Sequence, residues 1–476
     1  MHLHFIGIAG SAMGSVAVAC KAAGHTVTGS DVAVYPPMSD VLASAGVEFF
    51  DSYDGDRLRM LAPDLVVVGN AISRGNPEVE VVLDDRMTMT SMAELVGSLF
   101  ISRNTSIVCA GTHGKTTTSS MTAWILDQSM RKPGFLIGGV PKGLDVGCRT
   151  VPPDVHDTYG GIFVVEGDEY DTAFFDKRSK FVHYRPTIAI LNNLEFDHAD
   201  IFENVHDIVR SFEQLIRIIP QHGRIFVNAD DTLALTASMN GHTPVSTVGM
   251  SPHAAYRITD IQYNDDHTSW TIVHGERSIG HFTIGMAGEH NVRNATMAIA
   301  ACLQVDVTIE EAAAALATFK PPKRRLERIG EWHGCVVIDD FAHHPTAISA
   351  TIRALRSMFP KGSIHAVFEP RSNTTSRNIF QQELGSCFDG ATTVCIGPVN
   401  RPERYAAEER LDTRALVETL LHRGISARAL HSDYSQHPDW GSEILPWLSE
   451  NVKQGDVIVV LSNGNAGGLR SMLAAP

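Results

Sequence analysis

The chain has 476 residues, 43% of them hydrophobic and 20% charged, with a net charge of −15. The length suggests about three domains, and the composition is that of a globular protein with a full core. The acidic balance argues against nucleic acid or anionic membrane surfaces as partners. The 7 cysteines include no C-x-x-C pair. Free thiols in a reducing, cytoplasmic setting are therefore expected, not a disulfide framework or a zinc site. Met1-His2-Leu3-His4 has no basic region before an apolar core, so no signal peptide is expected. No apolar run reaches bilayer-spanning length, so no membrane insertion is expected.

The first elements read as a βαβ unit. Leu3 to Ile8 is a strand, Gly7, Gly10 and Gly14 lie in the turn after it, and a helix through Val16, Ala19 and Cys20 ends at Gly24. A second strand, His25 to Gly29, closes on Ser30-Asp31. The spacing G-x-x-G-x-x-x-G is not the dinucleotide fingerprint, which disfavours a nicotinamide dehydrogenase. Either the turn holds a nucleotide diphosphate, with Asp31 near the ribose or base, or it is a structural βαβ turn. Leu65 to Val68 is another buried strand. It delivers Asn70 and Ser73 to the end where α/β sheets bind ligands.

The strongest signal follows. Ser106 to Cys109 is a short apolar strand, Ala110-Gly111-Thr112-His113-Gly114-Lys115-Thr116-Thr117-Thr118 is a Gly-rich turn, and Met121, Trp124, Ile125 and Leu126 recur at helical spacing. Strand, glycine turn and helix make a P-loop, here in the short G-T-x-G-K-T-T form. Backbone N–H groups would close around phosphate, Lys115 would reach the β- and γ-phosphates, and Thr116 would hold Mg2+. Gly161 to Val165 is the next strand, followed by the acidic run Glu166-Gly167-Asp168-Glu169-Tyr170-Asp171. Glu166, first off the strand, is the expected second metal ligand. Asp168 and Asp171 suit a solvated turn.

Thr187 to Leu191 delivers Asn192 to Asp200. Within it His198 is either a metal ligand beside Asp197 and Asp200 or a structural histidine. Asn291 and Asn294 open an Ala-rich helix, where they cap it or present amides to a base edge. Lys320-Pro321-Pro322-Lys323 reads as a linker. Beyond it, strands Cys335 to Ile338, Ile364 to Phe368, Thr392 to Ile396 and Asp456 to Leu461 alternate with helices and imply a parallel sheet. Polar clusters lie at their carboxyl ends, among them Asp339-Asp340, His343-His344 and Arg371-Ser372-Asn373.

The P-loop, Glu166, Asn192 to Asp200, Gly288-x-His290-Asn291-x-x-Asn294, Arg325 and Asp339-Asp340 occur in the order found in Mur ligases. Over essentially its whole length the chain resembles that family, which builds the peptide of peptidoglycan. The Gly7 to Gly14 turn and the Asp339 to Thr346 block resemble the members acting on UDP-N-acetylmuramate. Tyr35 to Ser39, Gly134 to Pro141, Asp171 to Pro186 and Phe368 to Thr374 resemble those that take recovered L-alanyl-γ-D-glutamyl-meso-diaminopimelate as acceptor.

The resemblance implies an α/β fold of three domains. Residues 1–103 would be a Rossmann-like domain holding the UDP-sugar through Gly7, Gly10, Gly14, Asp31, Asn70 and Ser73. Residues 104–323 would be a P-loop domain binding ATP through Gly111, Thr112, His113, Gly114, Lys115, Thr116, Thr117 and Asn294. Residues 324–476 would be a Rossmann-like ligase domain, with Arg325 and Asp340 reaching ATP and Arg371, Asn373 and His344 meeting the peptide. Thr116, Glu166 and His198 would hold Mg2+, and Lys115, Glu166, His198 and Asp340 would be catalytic. The protein would act as a monomer or homodimer on ATP, UDP-N-acetylmuramate and the tripeptide. A UDP-N-acetylmuramate–L-alanine ligase and a non-catalytic nucleotide sensor are the alternatives. Several sister ligases carry a carbamylated lysine where counting from His198 finds Glu213, a carboxylate that would do the same work.

Overall fold

A computed structural model describes residues 1–474 except 33, 140, 156–160, 265, 431–436 and 438. Residue 140 falls in the 134–141 segment singled out above, and the expected last domain runs past the described residues.

Apolar runs too short to stand alone pair into three large sheets flanked by helices. The first is five-stranded and parallel, in the spatial order Glu48–Phe50, Thr26–Ser30, His2–Ile6, Leu65–Val68, Met89–Ser91. Chain direction across the sheet reverses between His2–Ile6 and Leu65–Val68, so the loops after these two strands diverge and leave a crevice at their carboxyl ends.

The second sheet has ten strands. At its centre Thr105–Ala110 lies between Ile188–Leu191 and Ile162–Gly167, all parallel. The P-loop strand thus has the Asn192 segment on one side and Glu166 on the other. Beyond Val245–Gly249 the sheet ends in an antiparallel meander, Tyr256–Tyr263, Thr268–His274 and Arg277–Ile284. That meander was not foreseen. Its inward face buries Ile258, Trp270, Ile272, Phe282 and Ile284 against the helix Glu289–Cys302, a half-buried pattern that favours antiparallel strands.

The third sheet runs Glu327–Trp332, Cys335–Asp340, Val457–Leu461, Ile364–Phe368, Thr393–Ile396, Ser426–Ala429. The expected strands are parallel here, but Glu327–Trp332 adds an antiparallel edge. Cys335–Asp340 also runs two residues past the expected end, taking Asp339 and Asp340 into the strand. All 7 cysteines are buried and free. No helix among the described residues is long and apolar enough to cross a membrane.

Candidate active site

The turn after Thr105–Ala110 leads straight into the helix Lys115–Gln128. Gly114 sits at φ +83°, and a Cβ there would lie 2.8 Å from Asn294 Oδ1 and 2.9 Å from Asn192 Nδ2. Any side chain would both strain this backbone and push two amides away. The turn is braced from outside: Asn193 Oδ1 accepts from the His113 N–H at 2.7 Å, and Thr112 Oγ1 accepts from the Glu195 N–H at 2.9 Å. Thr116 Oγ1 donates to Glu166 Oε1 at 2.8 Å, and Glu166 Oε2 accepts from the Gly138 N–H at 2.8 Å. Glu166 lies within its strand, not beyond it, because Ile162–Gly167 runs on to pair with Ala110.

His198 is held in the left-handed region at φ +57°, a conformation that non-glycine residues adopt at a cost and that histidine tolerates better than most. Its N–H donates to Asp197 Oδ1 at 2.7 Å, and its Nε2 lies 2.9 Å from Glu169 Oε1. Burial pulls the His198 pKa down, but Glu169 and Asp197 outweigh it and raise the pKa above its ordinary value. Sequence reading overlooked Glu169, which also takes the Lys115 ammonium at 2.7 Å. Glu213 has other partners. On the helix Val205–Arg217 its carboxylate accepts from Asn240 at 2.8 Å and from Arg217 at 3.3 Å.

The seam between the second and third sheets encloses a cavity of about 440 Å³, lined by His113, Gly114, Thr117, Asn294, Arg325 and Asp340 among others. Asn294 is buried against the glycine turn. The cap of its helix is Gly288, so the capping alternative does not apply. Arg325 reaches Thr116 Oγ1 at 3.5 Å. Asp340 accepts from the Leu326 and Ala342 N–H groups at 2.7 and 2.9 Å, fixing the chain that carries Arg325. Burial pushes the Asp340 pKa up. On the same seam Thr374 Oγ1 donates to Asp197 Oδ1 at 2.8 Å. His344 caps the helix Pro345–Met358 and packs against His113, Glu195 and Phe380.

His290, in the cavity lining, and His344 carry a pH prediction. Burial, reinforced by Arg293, Arg353, Arg325 and His113, lowers the His290 pKa to about 4. Burial and His113 lower that of His344 to about 4 against the opposing pull of Asp197 and Glu195. On acidification the unfolded chain takes up these protons first, from about pH 6.5 downwards. Stability is therefore complete above that pH and is lost progressively towards pH 4, with each histidine adding a slope of up to about 1.4 kcal/mol per pH unit. Urea unfolding across this range should show the decline, and His344→Asn, which keeps a capping acceptor, should flatten it. A stability unchanged over the window would refute the assignment.

The crevice of the first sheet is a second cavity, about 740 Å³, lined by Gly7, Gly10, Asp31, Tyr53, Asn70 and Ser73 among others. The helix Ser11–Ala22 opens into it with no side-chain cap, leaving N–H groups for an anion. Asp31 shapes the turn by accepting from the Ala9 N–H at 3.0 Å and from Tyr53 Oη at 3.2 Å. Tyr53 was not foreseen. Gly14 does not line the cavity; a Cβ there would collide with the Met38 sulfur, so its role is close helix packing. Thr172 and Lys180 of the second domain complete the lining, and Lys180 pairs with Asp168 at 2.5 Å. This crevice thus opens toward the acids behind the P-loop.

Arg371 stands at the carboxyl end of Ile364–Phe368, its Nη1 3.6 Å from Glu369 Oε1. Glu369 is fully buried and accepts from the Ala466 N–H at 3.1 Å and from Ser462 Oγ. Asn373 is exposed and accepts from Tyr405 Oη at 3.3 Å.

Comparison with known proteins matches this arrangement throughout. Residues 2–103 match the Mur ligase family catalytic domain, 109–302 the Mur ligase middle domain and 324–464 the Mur ligase glutamate ligase domain. The chain is 40% identical over 480 residues to the UDP-N-acetylmuramate–L-alanyl-γ-D-glutamyl-meso-2,6-diaminoheptandioate ligase of Escherichia coli, covering 99% of this chain and 97% of that one. It is 31% identical over 467 residues to the UDP-N-acetylmuramate–L-alanine ligase of Desulfitobacterium hafniense, covering 98% and 97%. The crystal structure of a murein peptide ligase from Psychrobacter arcticus superposes with a TM-score of 0.70 at 36% identity, covering 99% and 98%. Three family segments in register and relatives of this identity over nearly the full length place the chain in the Mur ligase family.

Proposed function

We propose that this chain is an ATP-dependent amide ligase that joins UDP-N-acetylmuramate to L-alanyl-γ-D-glutamyl-meso-diaminopimelate. The observation that carries the reading is the convergence of two clefts. The crevice of the first sheet is lined in part by Lys180, which pairs with Asp168, and the P-loop cavity is lined by His113, Gly114 and Thr117, next to the Thr116–Glu166 pair. The higher identity to the tripeptide ligase than to the L-alanine ligase supports the acceptor.

A carboxylate does not condense with an ammonium in water, so the muramate carboxylate first takes the γ-phosphoryl group of ATP, releasing ADP. The amine of the tripeptide then attacks the acyl carbon and phosphate leaves. Lys115 spreads the charge that develops on the transferring phosphoryl oxygens. The hydroxyl of Thr116 and the carboxylate of Glu166 are hard oxygen donors whose adjacency suits magnesium, and His198 would serve a second cation. Magnesium, when bound, neutralises the triphosphate. Asn294, which lines the cavity beside the glycine turn, would offer its amide to the adenine. Arg325 and Asp340 tie the last domain to the P-loop, and docking of that domain keeps water from the acyl phosphate.

Incubation with ATP, Mg2+, UDP-N-acetylmuramate and tripeptide should yield ADP and the ligated product; formation of neither would defeat the proposal. Asp31→Ala, which frees the glycine turn and Tyr53, should weaken UDP-N-acetylmuramate binding by about 10-fold and leave the KM for ATP unchanged. Equal loss for both substrates would move Asp31 out of the sugar-nucleotide site.

A further inference from the structure

The mechanism makes no use of the buried carboxylate of Glu169. Glu169 is 2% exposed and lies between the strands Ile162–Gly167 and Asp171–Ala173. Its oxygens receive Lys115 Nζ at 2.9 and 2.7 Å, and its Oε1 also meets His198 Nε2 at 2.9 Å. An ammonium has three protons to give. Lys115 directs its own at Gly111 O (2.9 Å), Thr112 O (3.2 Å) and the Glu169 carboxylate. Every donor that a triphosphate needs from this lysine is already engaged. The two carbonyls belong to the turn that cradles the phosphate. The carboxylate is the exchangeable partner, because His198 remains to hold it when Lys115 leaves.

We infer that Glu169 is an internal stand-in for phosphate. It holds Lys115 against the turn, surrenders the ammonium to the incoming phosphate, and stays on His198. It is a positioning residue that acts through Lys115 and His198. Two opposite consequences follow. A carboxylate competing with phosphate for one cation weakens nucleotide binding. The same carboxylate presets Lys115 against the turn and orients the His198 ring, which favours turnover. A residue that merely stabilised the fold would, when removed, impair both.

The inference rests on the P-loop reading of the proposed function, and the test separates the two. Calorimetric titration of ADP in EDTA is compared between the wild-type protein and Glu169→Gln, beside steady-state turnover with all substrates. The neutral amide leaves the Lys115 charge uncompensated until phosphate arrives, so the ADP Kd should fall by about 10-fold. Over the same substitution kcat should fall by about 10-fold or more. Glu169→Asp, whose shorter carboxylate cannot span Lys115 and His198 together, should tighten ADP binding less, with the same sign. It serves as the test should the Gln variant not fold. Unchanged or weakened ADP binding in a folded variant overturns the inference and leaves the P-loop reading intact. Failure of the wild-type protein to bind ADP overturns both.

Discussion

Lys115→Ala should lower ADP formation by about 1,000-fold or more, since it removes the P-loop ammonium that spreads charge on the transferring phosphoryl group. Binding of UDP-N-acetylmuramate should stay within about 2-fold of wild type, because a side chain remote from that cleft contributes little to it. The physical reason lies in the sheets. Lys115 begins the helix after Thr105–Ala110 in the second sheet, while the sugar-nucleotide crevice opens at the carboxyl ends of His2–Ile6 and Leu65–Val68 in the first. The fold should survive the change. Glu169 keeps His198 as a partner at 2.9 Å, so no buried carboxylate is stranded. Calorimetry with UDP-N-acetylmuramate, beside a coupled ADP assay, measures both halves. Loss of sugar-nucleotide binding in a folded variant would mean that the two clefts are one site.

The P-loop was legible because its chemistry is local. Strand, glycine turn, lysine and helix are contiguous, and no distant segment is needed to recognise them. Glu166 was legible for a similar reason, since a strand beside a P-loop strand has few ways to present an acid. Glu169 was not. The run Glu166 to Asp171 offers several carboxylates, and which of them turns inward depends on where the chain bends after Gly167. Asn294 shows the same limit. An asparagine near a helix start caps by default, but contact between the helices Glu289–Cys302 and Lys115–Gln128 carries this one to the glycine turn. Counting from His198 could not say which way Glu213 faces, because a helix rotates about 100° per residue. Ser211 lies on the buried face, its hydroxyl 2.5 Å from Ser179 Oγ. Two residues later Glu213 has swung round to Arg217 and Asn240. The meander Tyr256–Ile284 carried a readable alternation around Trp270 and a turn at Gly275, φ +63°, which attention to the parallel pattern hid.

The tripeptide should be preferred to free L-alanine by about 100-fold or more in kcat/KM, because a site built to pair charged groups rejects a ligand that lacks them. L-Alanine offers one carboxylate, whereas the tripeptide brings those of glutamate and diaminopimelate. A guanidinium pairs such groups bidentately, and Arg371 stands where one is needed. It follows the strand Ile364–Phe368, on the carboxyl face that meets the P-loop domain through Thr374 and Asp197. The contact between Arg371 and Glu369 at 3.6 Å does not compete with this role. Glu369 is anchored by Ser462 and the Ala466 N–H, so it serves as a fixed strut beneath a guanidinium that is 32% exposed. Arg371→Ala should therefore raise the tripeptide KM by about 30-fold with the KM for ATP unchanged. Arg371→Lys, which keeps the charge and the contact with Glu369 but not the fork, should recover only part of the loss. Full recovery by lysine would reduce Arg371 to a structural partner of Glu369. Kinetics with L-alanine, dipeptide and tripeptide side by side test the acceptor itself. If free L-alanine proved the best substrate, the chain would be a biosynthetic L-alanine ligase, and the additional carboxylates would have no partner to explain.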